Sequence, residues 1–244
     1  MLIADGALSS HFHSYFSVES ATSRQLREEV FQLRYNVFCE EFGYEDKNRF
    51  RDQMERDIYD NHSRHFLIRH RISGNPAGCI RIILSTPDER RPLPFEQVCN
   101  GQLDPGYYPP AEGDSVAYAE ISRLAVHSSF RKRAGEATKA NGLGSTATRA
   151  NGDGSERAYP LVAMGLYLTA TAMTICEDLR YAYVMMEPRT ARMLRRCGIR
   201  FTQISELVEY HGKRAAYVVK PNEVPEQLNP EARELLESIN IEAC

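Results

Sequence analysis

The 244-residue sequence has no tryptophan, and its six cysteines (Cys39, Cys79, Cys99, Cys176, Cys197 and Cys244) form no CxxC pair and no ladder of short spacings. That absence removes the zinc-ribbon and disulfide-framework classes and leaves reduced thiols serving as small core hydrophobes, as expected of a cytoplasmic protein. There is no long apolar run either. The longest uncharged stretch, Tyr159 to Cys176, carries Gly165, Thr169, Thr171 and Thr174. It falls short of the roughly 20 residues a membrane span needs and predicts a buried helix instead. The first residues carry no leader-like pattern, so a targeting segment is not expected. Excess charge of one sign is missing too: 30 Lys plus Arg against 33 Asp plus Glu leaves −3. A partner gripped by bulk charge, nucleic acid above all, is therefore not expected, and the one basic cluster has a single aromatic neighbour, Phe130. No P-loop, dinucleotide glycine fingerprint, HExxH, EF-hand loop or GxSxG is present, so neither a bound metal nor a permanently bound cofactor is expected.

What is present reads as one sizeable α/β core. Ala21-Thr22-Ser23 opens a helix whose apolar residues Leu26, Val30, Leu33, Val37 and Phe38 recur at helical spacing until Gly43 stops it, with Arg34 and Phe38 on one side. Strands are predicted over 65–71 and 77–84, joined by Ser73-Gly74-Asn75-Pro76, and again over 116–127. The stretch 87–110 reads as loop with one short helix. Residues 134–158 hold five glycines and six alanines around a single large apolar side chain, Leu143, which predicts a flexible insertion. A helix over 161–179, a strand over 181–186, a helix over 188–197 capped by Gly198, strands over 200–204 and 215–219 and a terminal helix over 231–239 complete the pattern. The class is α+β, with a mixed sheet.

The informative residues are charges on apolar elements: Arg34 on the first helix, Arg81 within Cys79-Ile-Arg-Ile-Ile-Leu84, and Glu120 and Arg123 within Tyr118-Ala-Glu-Ile-Ser-Arg-Leu. Unpaired charge is costly to bury, so partners are expected, and Asp57 and Asp60 are the obvious carboxylates. Such a set is either a structural ion-pair network or a catalytic cluster. Glu120 and Arg123 have opposite parity on a regular strand, so one cleft holds both only if a β-bulge intervenes.

In order and spacing, Arg34-x-x-Val-Phe38, Gly43-Tyr44, Glu55-x-Asp57-x-x-Asp60, Gly78-Cys-Ile-Arg81 and Glu120-Ile-Ser-Arg123 resemble the acyl-homoserine lactone (autoinducer) synthases. Tyr44 stands where those synthases typically carry Trp. Pro92-Leu-Pro-Phe-Glu96, Phe130-Arg-Lys-Arg133, Val184-Met-Met-Glu-Pro-Arg189 and Glu209-Tyr-His-Gly-Lys-Arg214 are similar to a sister group. These are the N-acyltransferases associated with PEP-CTERM/exosortase systems, with N-acyl amino acid synthases as further relatives. The resemblance implies a GNAT-like acyltransferase fold over residues 1–221, with insertion 134–158 and an acidic C-terminal helix or tail over 222–244. Its central strands splay to admit a pantetheine arm, and the strand over 116–127 carries the bulge.

The activity so implied is transfer of a fatty acyl group from the phosphopantetheine of acyl carrier protein to the amino group of an amino acid or derivative. Two alternatives stand beside it: a lactone synthase using S-adenosylmethionine, and a non-catalytic acyl-carrier sensor on the same fold. Glu120 is the expected general base, with Asp57 and Asp60 holding the acceptor ammonium and Arg34, Arg81 and Arg123 bracing those acids. Phe38, Tyr44, Ile121, Ser122 and Met185 are expected to line the substrate pocket. Arg131, Lys132 and Arg133 form a basic patch expected to receive an acidic carrier.

Overall fold

A computed structural model describes residues 7–86, 88–108, 117–131 and 158–239. The sequence expectations for 134–157 and for Lys132 and Arg133 lie outside those residues. Helix α1 (Ala7–Tyr15) leads into β1 (Phe16–Ser20), and Ser23 caps α2 (Arg24–Arg34) by accepting the amide of Leu26. The helix then continues as a π-helix over Tyr35–Glu41, a rare form found mostly where function demands a local shift of register. Strands β2 (Ser63–His70) and β3 (Pro76–Ser85) make the expected hairpin, followed by α3 (Pro94–Val98) and β4 (Tyr118–Val126). Next come α4 (Ala158–Cys176), β5 (Tyr181–Met186), α5 (Pro188–Cys197), and the short strands β6 (Thr202–Gln203) and β7 (Val208–Glu209). The chain ends in β8 (Lys213–Val219), α6 (Val224–Gln227) and α7 (Pro230–Ser238).

The eight strands run in the order β1-β2-β3-β4-β5-β8-β6, with β7 on β8. Every main pairing is antiparallel except β4 with β5. β3 is buried on both faces, which explains its nearly continuous apolar sequence. Ile80 and Ile82 join Leu166, Leu168 and Met173 of α4 in the largest core cluster, while Cys79 packs with Val30 and Leu33 of α2 on the opposite face. Arg81 shares the parity of Cys79 and so points to the α2 side.

Four elements depart from the sequence reading. α1 and β1 were not anticipated, because Phe12 and Phe16 are isolated large apolar residues in a polar stretch; both are buried in the main core. The strand expected over 200–204 contracts to Thr202–Gln203. The acidic C-terminal helix keeps its glutamates outward but sends Ala232, Leu235 and Leu236 into the same core. Cys39, Cys79, Cys99 and Cys197 are free thiols, whereas Cys176 is disulfide-bonded, which departs from the expectation of six reduced cysteines. Pairing follows which chain segments the fold brings together, and sequence spacing does not carry that information. No helix among the described residues is long and apolar enough to cross a membrane.

Gly198 ends α5 at φ +103°, and a Cβ there would run into the Gln227 carbonyl oxygen. Gly43, which ends the π-helix at φ +61°, has open space around it. Gly43→Ala is expected to cost about 1–2 kcal/mol from backbone conformation alone, and Gly198→Ala clearly more because a backbone must also move. Denaturant melts of the two variants check this; equal midpoints would contradict it.

Candidate active site

The expected bulge is present. Arg81 pairs with Ser122 and Cys79 with Ala125, so two steps along β3 match three along β4. The extra residue is Arg123, at φ +51°. A non-glycine residue in that region is strained, and here the surrounding ion pairs hold it. The bulge returns Arg123 to the face that carries Glu120, Ser122 and Arg81.

On that face lies a connected ion-pair network. Arg34, with no exposed surface, gives Nε to Glu55 at 2.5 Å and both terminal nitrogens to Asp60 at 2.6 and 3.1 Å. Arg81 donates to Asp60 at 2.9 Å, to Asp57 at 2.6 Å and to the Ser122 hydroxyl at 3.0 Å. Arg123 reaches Glu55 at 3.2 Å, Glu45 at 3.0 Å and Asp57 at 3.3 Å. Burial disfavours ionising Asp60 and Glu55, yet their guanidinium partners hold both carboxyls below the usual range: Arg34 and Arg81 for Asp60, Arg34 and Arg123 for Glu55. Burial likewise pushes His65, beside Asp60, down to about 4, so it is neutral at neutral pH.

Sequence reasoning placed the three arginines and two of their acids but missed Glu55 and Glu45 as partners. Glu120, the expected general base, stands apart. Its buried carboxylate accepts the Phe95 amide at 2.9 Å. Burial, only partly offset by that hydrogen bond and by Arg81 and Arg123, pushes its pKa up to about 7. The expectation that Asp60 holds an acceptor ammonium is also corrected: both its oxygens are occupied by Arg34, Arg81 and the Asp57 amide, so it anchors the loop. Asp57 retains partial exposure.

A cleft opens beside this network. The parallel ladder between β4 and β5 stops at Ile121 and Val184, although β4 runs on to Val126 and β5 to Met186. The strands diverge beyond that pair, leaving a cavity of about 110 Å³. Phe38, Tyr44, Ile121, Ser122 and Met185, the residues expected to line a substrate pocket, border it, together with Arg123, expected only as a brace, and with Glu45, Tyr167, His211 and Arg214, which had no expected role. Arg123 lies over the Phe38 ring at 5.8 Å, and the Tyr44 ring stacks on His211 at 4.6 Å. The only earlier signal for the last pair was the segment Glu209 to Arg214, quoted without a role.

The basic patch is corrected at Arg131. Its side chain is buried, pairs with Glu41 and lies over the Phe42 ring at 4.7 Å, so its charge is not offered to a carrier. Phe42 and Glu41, at the end of the π-helix, draw it inward.

Removing one member of a buried, paired set leaves its partners uncompensated, a loss of about 3–5 kcal/mol. Arg81→Met is therefore expected to lower the melting temperature sharply, whereas Arg24→Met, which breaks an exposed i,i+4 pair with Glu28, leaves it nearly unchanged. The folded-state carboxyl values of Asp60 and Glu55 are depressed, so the stabilisation they carry is complete above the usual carboxylate range and is lost as pH falls below that range through the depressed folded-state values. Melting curves of both variants from neutral to acidic pH test this, and equal shifts at neutral pH would refute it.

Residues 33–140 match the family described as acetyltransferase (GNAT) domain. No curated protein matches. Among solved structures, FeeM, an N-acyl amino acid synthase from uncultured soil microbes, superposes with a TM-score of 0.56 at 14% identity, over 87% of this chain and 94% of that one. The AHL synthase LasI gives 0.58 at 17%, over 88% and 94%. BjaI, a CoA-dependent acyl-homoserine lactone synthase solved with SAM and isopentyl-CoA, gives 0.57 at 16%, over 91% and 87%. With a bulged β4 parting from β5 above a charged network, the chain has the GNAT-like acyltransferase fold that these synthases share.

Proposed function

We propose that the protein is an N-acyltransferase that moves a fatty acyl group from acyl carrier protein to the amino group of an amino acid or amino-acid derivative. We place it with the cytoplasmic enzymes associated with PEP-CTERM/exosortase systems, on the sequence segments that resemble them. The observation that carries the activity is the gap beyond the Ile121–Val184 pair, with Glu120 immediately before it on the same strand. A pantetheine arm is a narrow chain with amide groups, and a gap between parted strands offers it both width and backbone partners. Phe38, Leu124, Val184, Met185 and Met186 give the thioester and the start of the acyl chain an apolar wall. Related proteins accept such donors: BjaI is named as CoA-dependent.

In this reading Glu45, on the cleft wall, receives the acceptor ammonium, and Glu120 removes its proton through water. The freed lone pair attacks the thioester carbonyl carbon and the C–N bond forms. A backbone amide at the end of the β4–β5 ladder steadies the oxyanion. Collapse breaks the C–S bond, and the departing thiolate takes the proton that the nitrogen sheds as it becomes an amide, leaving as the pantetheine thiol. Amide formation of this kind needs no covalent enzyme intermediate. A carboxyl titrating near neutrality is well matched to the work of a base at physiological pH. Asp57, Asp60, Arg34, Arg81 and Arg123 hold the cleft wall in position, and Arg123 also faces the cleft.

Docking of the carrier is assigned to α5 rather than to Arg131. This helix starts at the cleft rim, directly after Met186 and Glu187, and exposes Arg189, Arg192, Arg195 and Arg196. Carrier proteins are acidic, and a basic helix beside the cleft mouth steers them electrostatically.

Two predictions follow from this assignment. Glu120→Gln keeps the shape and the Phe95 hydrogen bond and is expected to cut acyl transfer about a hundredfold, the scale of lost general-base catalysis. Wild-type kcat/KM should rise with pH through about 7 and then level, because the base works deprotonated. Thiol release from acyl carrier protein in the presence of amino acids measures both; turnover near wild type in Glu120→Gln would show a purely structural glutamate. Separately, Arg192→Glu combined with Arg195→Glu and Arg196→Glu should raise KM for acyl carrier protein while leaving KM for the amino acid unchanged, and should flatten the salt dependence. Equal use of acyl-CoA and acyl carrier protein by the wild type would move the donor to CoA.

A further inference from the structure

The geometry points to Arg214 as the residue that binds the free carboxylate of the acceptor, which makes the enzyme selective for amino acids over simple amines and over amino acids blocked as esters or amides. This assignment rests on the N-acyltransferase reading and narrows it to a substrate class.

Arg214 lies near the start of β8, opposite Val208 of β7, and lines the cleft. Its guanidinium carbon sits 5.9 Å from the Tyr44 ring centre and 5.9 Å from that of Tyr210. Its Nε is buried and has no hydrogen-bond partner, and among the described residues Arg214 makes no ion pair. The contrast with the arginines of the network is sharp. Arg34, Arg81 and Arg123 each meet two or more carboxylates. Arg214 meets aromatic groups, which attract a cation but leave its N–H fork unused.

A partly desolvated guanidinium without an anion is an unfavourable state that a planar, bidentate oxyanion relieves. The carboxylates lining the cleft sit nearer other arginines than Arg214: one Glu45 oxygen accepts from Arg123 at 3.0 Å while the other is only loosely paired, 3.6 Å from the exposed Arg49, and Glu187 pairs with Arg189. The missing anion therefore comes from outside the protein. An α-amino acid supplies it at a suitable place. His211, stacked on Tyr44, lies within electrostatic reach of Arg214, Glu45 and Arg123 together. A zwitterion bridging this wall would set its ammonium at Glu45 and its carboxylate at Arg214, with the amine turned towards the thioester gap.

The test uses the reaction's products, so that it does not depend on turnover. N-dodecanoyl conjugates of the common amino acids and their methyl esters are titrated calorimetrically into the wild type, Arg214→Met and Arg214→Lys, with circular dichroism confirming that each variant folds. At least one free acid should bind the wild type roughly ten- to a hundredfold more tightly than its ester, the scale of one charge-assisted pair. Arg214→Met should abolish that preference and Arg214→Lys should shrink it. Should Arg214→Met fail to fold, Arg214→Lys decides. A wild type that binds no acid better than its ester, or a variant that keeps the full preference, overturns the assignment. In the kinetic arm, Arg214→Met should raise KM for the amino acid and leave KM for the acyl donor unchanged. A rise confined to the donor would place Arg214 on the pantetheine phosphate and refute the acceptor role. Absence of thiol release by the wild type with any amino acid would refute the N-acyltransferase reading while leaving the binding result to stand or fall by itself.

Discussion

Three guanidiniums withdrawn from water on the α2 face of the sheet set the terms for the rest of the molecule. Arg34 comes from a helix, Arg81 from the central strand and Arg123 from a bulge; Glu55, Asp57 and Asp60 come from the loop between the π-helix and β2. Each charge is affordable in the interior only if the others are present, so the network acts as an all-or-none clamp on four segments. It also accounts for the local irregularities. The positive φ of Arg123 is tolerated because Glu45, Glu55 and Asp57 hold the side chain. The π-helix turns Phe38 to where Arg123 lies over its ring.

The bulge and the splay together make the cleft. A regular β4 would send Arg123 to the α4 face, among the packed side chains of Ile80, Ile82 and Ile121. With one extra residue, β4 keeps its pairing to β3 on one side while its far end parts from β5 on the other. The lining of the resulting space is apolar from Val184 to Met186 and polar or charged at Glu45, Arg123, His211 and Arg214. An acyl chain and a zwitterion have just these contrasting requirements.

The sequence shows charges that interrupt apolar patterns, and it shows the parity conflict on β4. Those two signals were enough to find Arg34, Arg81, Glu120 and Arg123 and to require the bulge. They could not reveal Glu55, because a glutamate in Met54-Glu-Arg-Asp looks like any solvated residue until the loop folds beneath Arg34. Nor could they separate Arg131 from a surface patch: its burial depends on Glu41 and Phe42, ninety positions away in the chain. The α1–β1 segment escaped for a different reason. Its two buried phenylalanines acquire meaning only against α4 and β2, since a helix of nine residues has too little periodicity to stand out.

The separation of Glu120 from the network has an electrostatic consequence. Three arginines face Glu45, Glu55, Asp57 and Asp60, a balance of 3 − 4 = −1, so the cluster supplies no surplus positive charge to a further carboxylate. Arg81 and Arg123 still favour ionised Glu120, but burial outweighs them and the single Phe95 amide. Removing Glu55 or Asp57 would take away a negative charge that opposes the field of Arg81 and Arg123, and so shift the Glu120 carboxyl downward from about 7. The acids that neutralise the arginines thus do two things at once: they make the charges bearable in the core, and they leave one buried glutamate titrating near neutrality on the strand that borders the cleft.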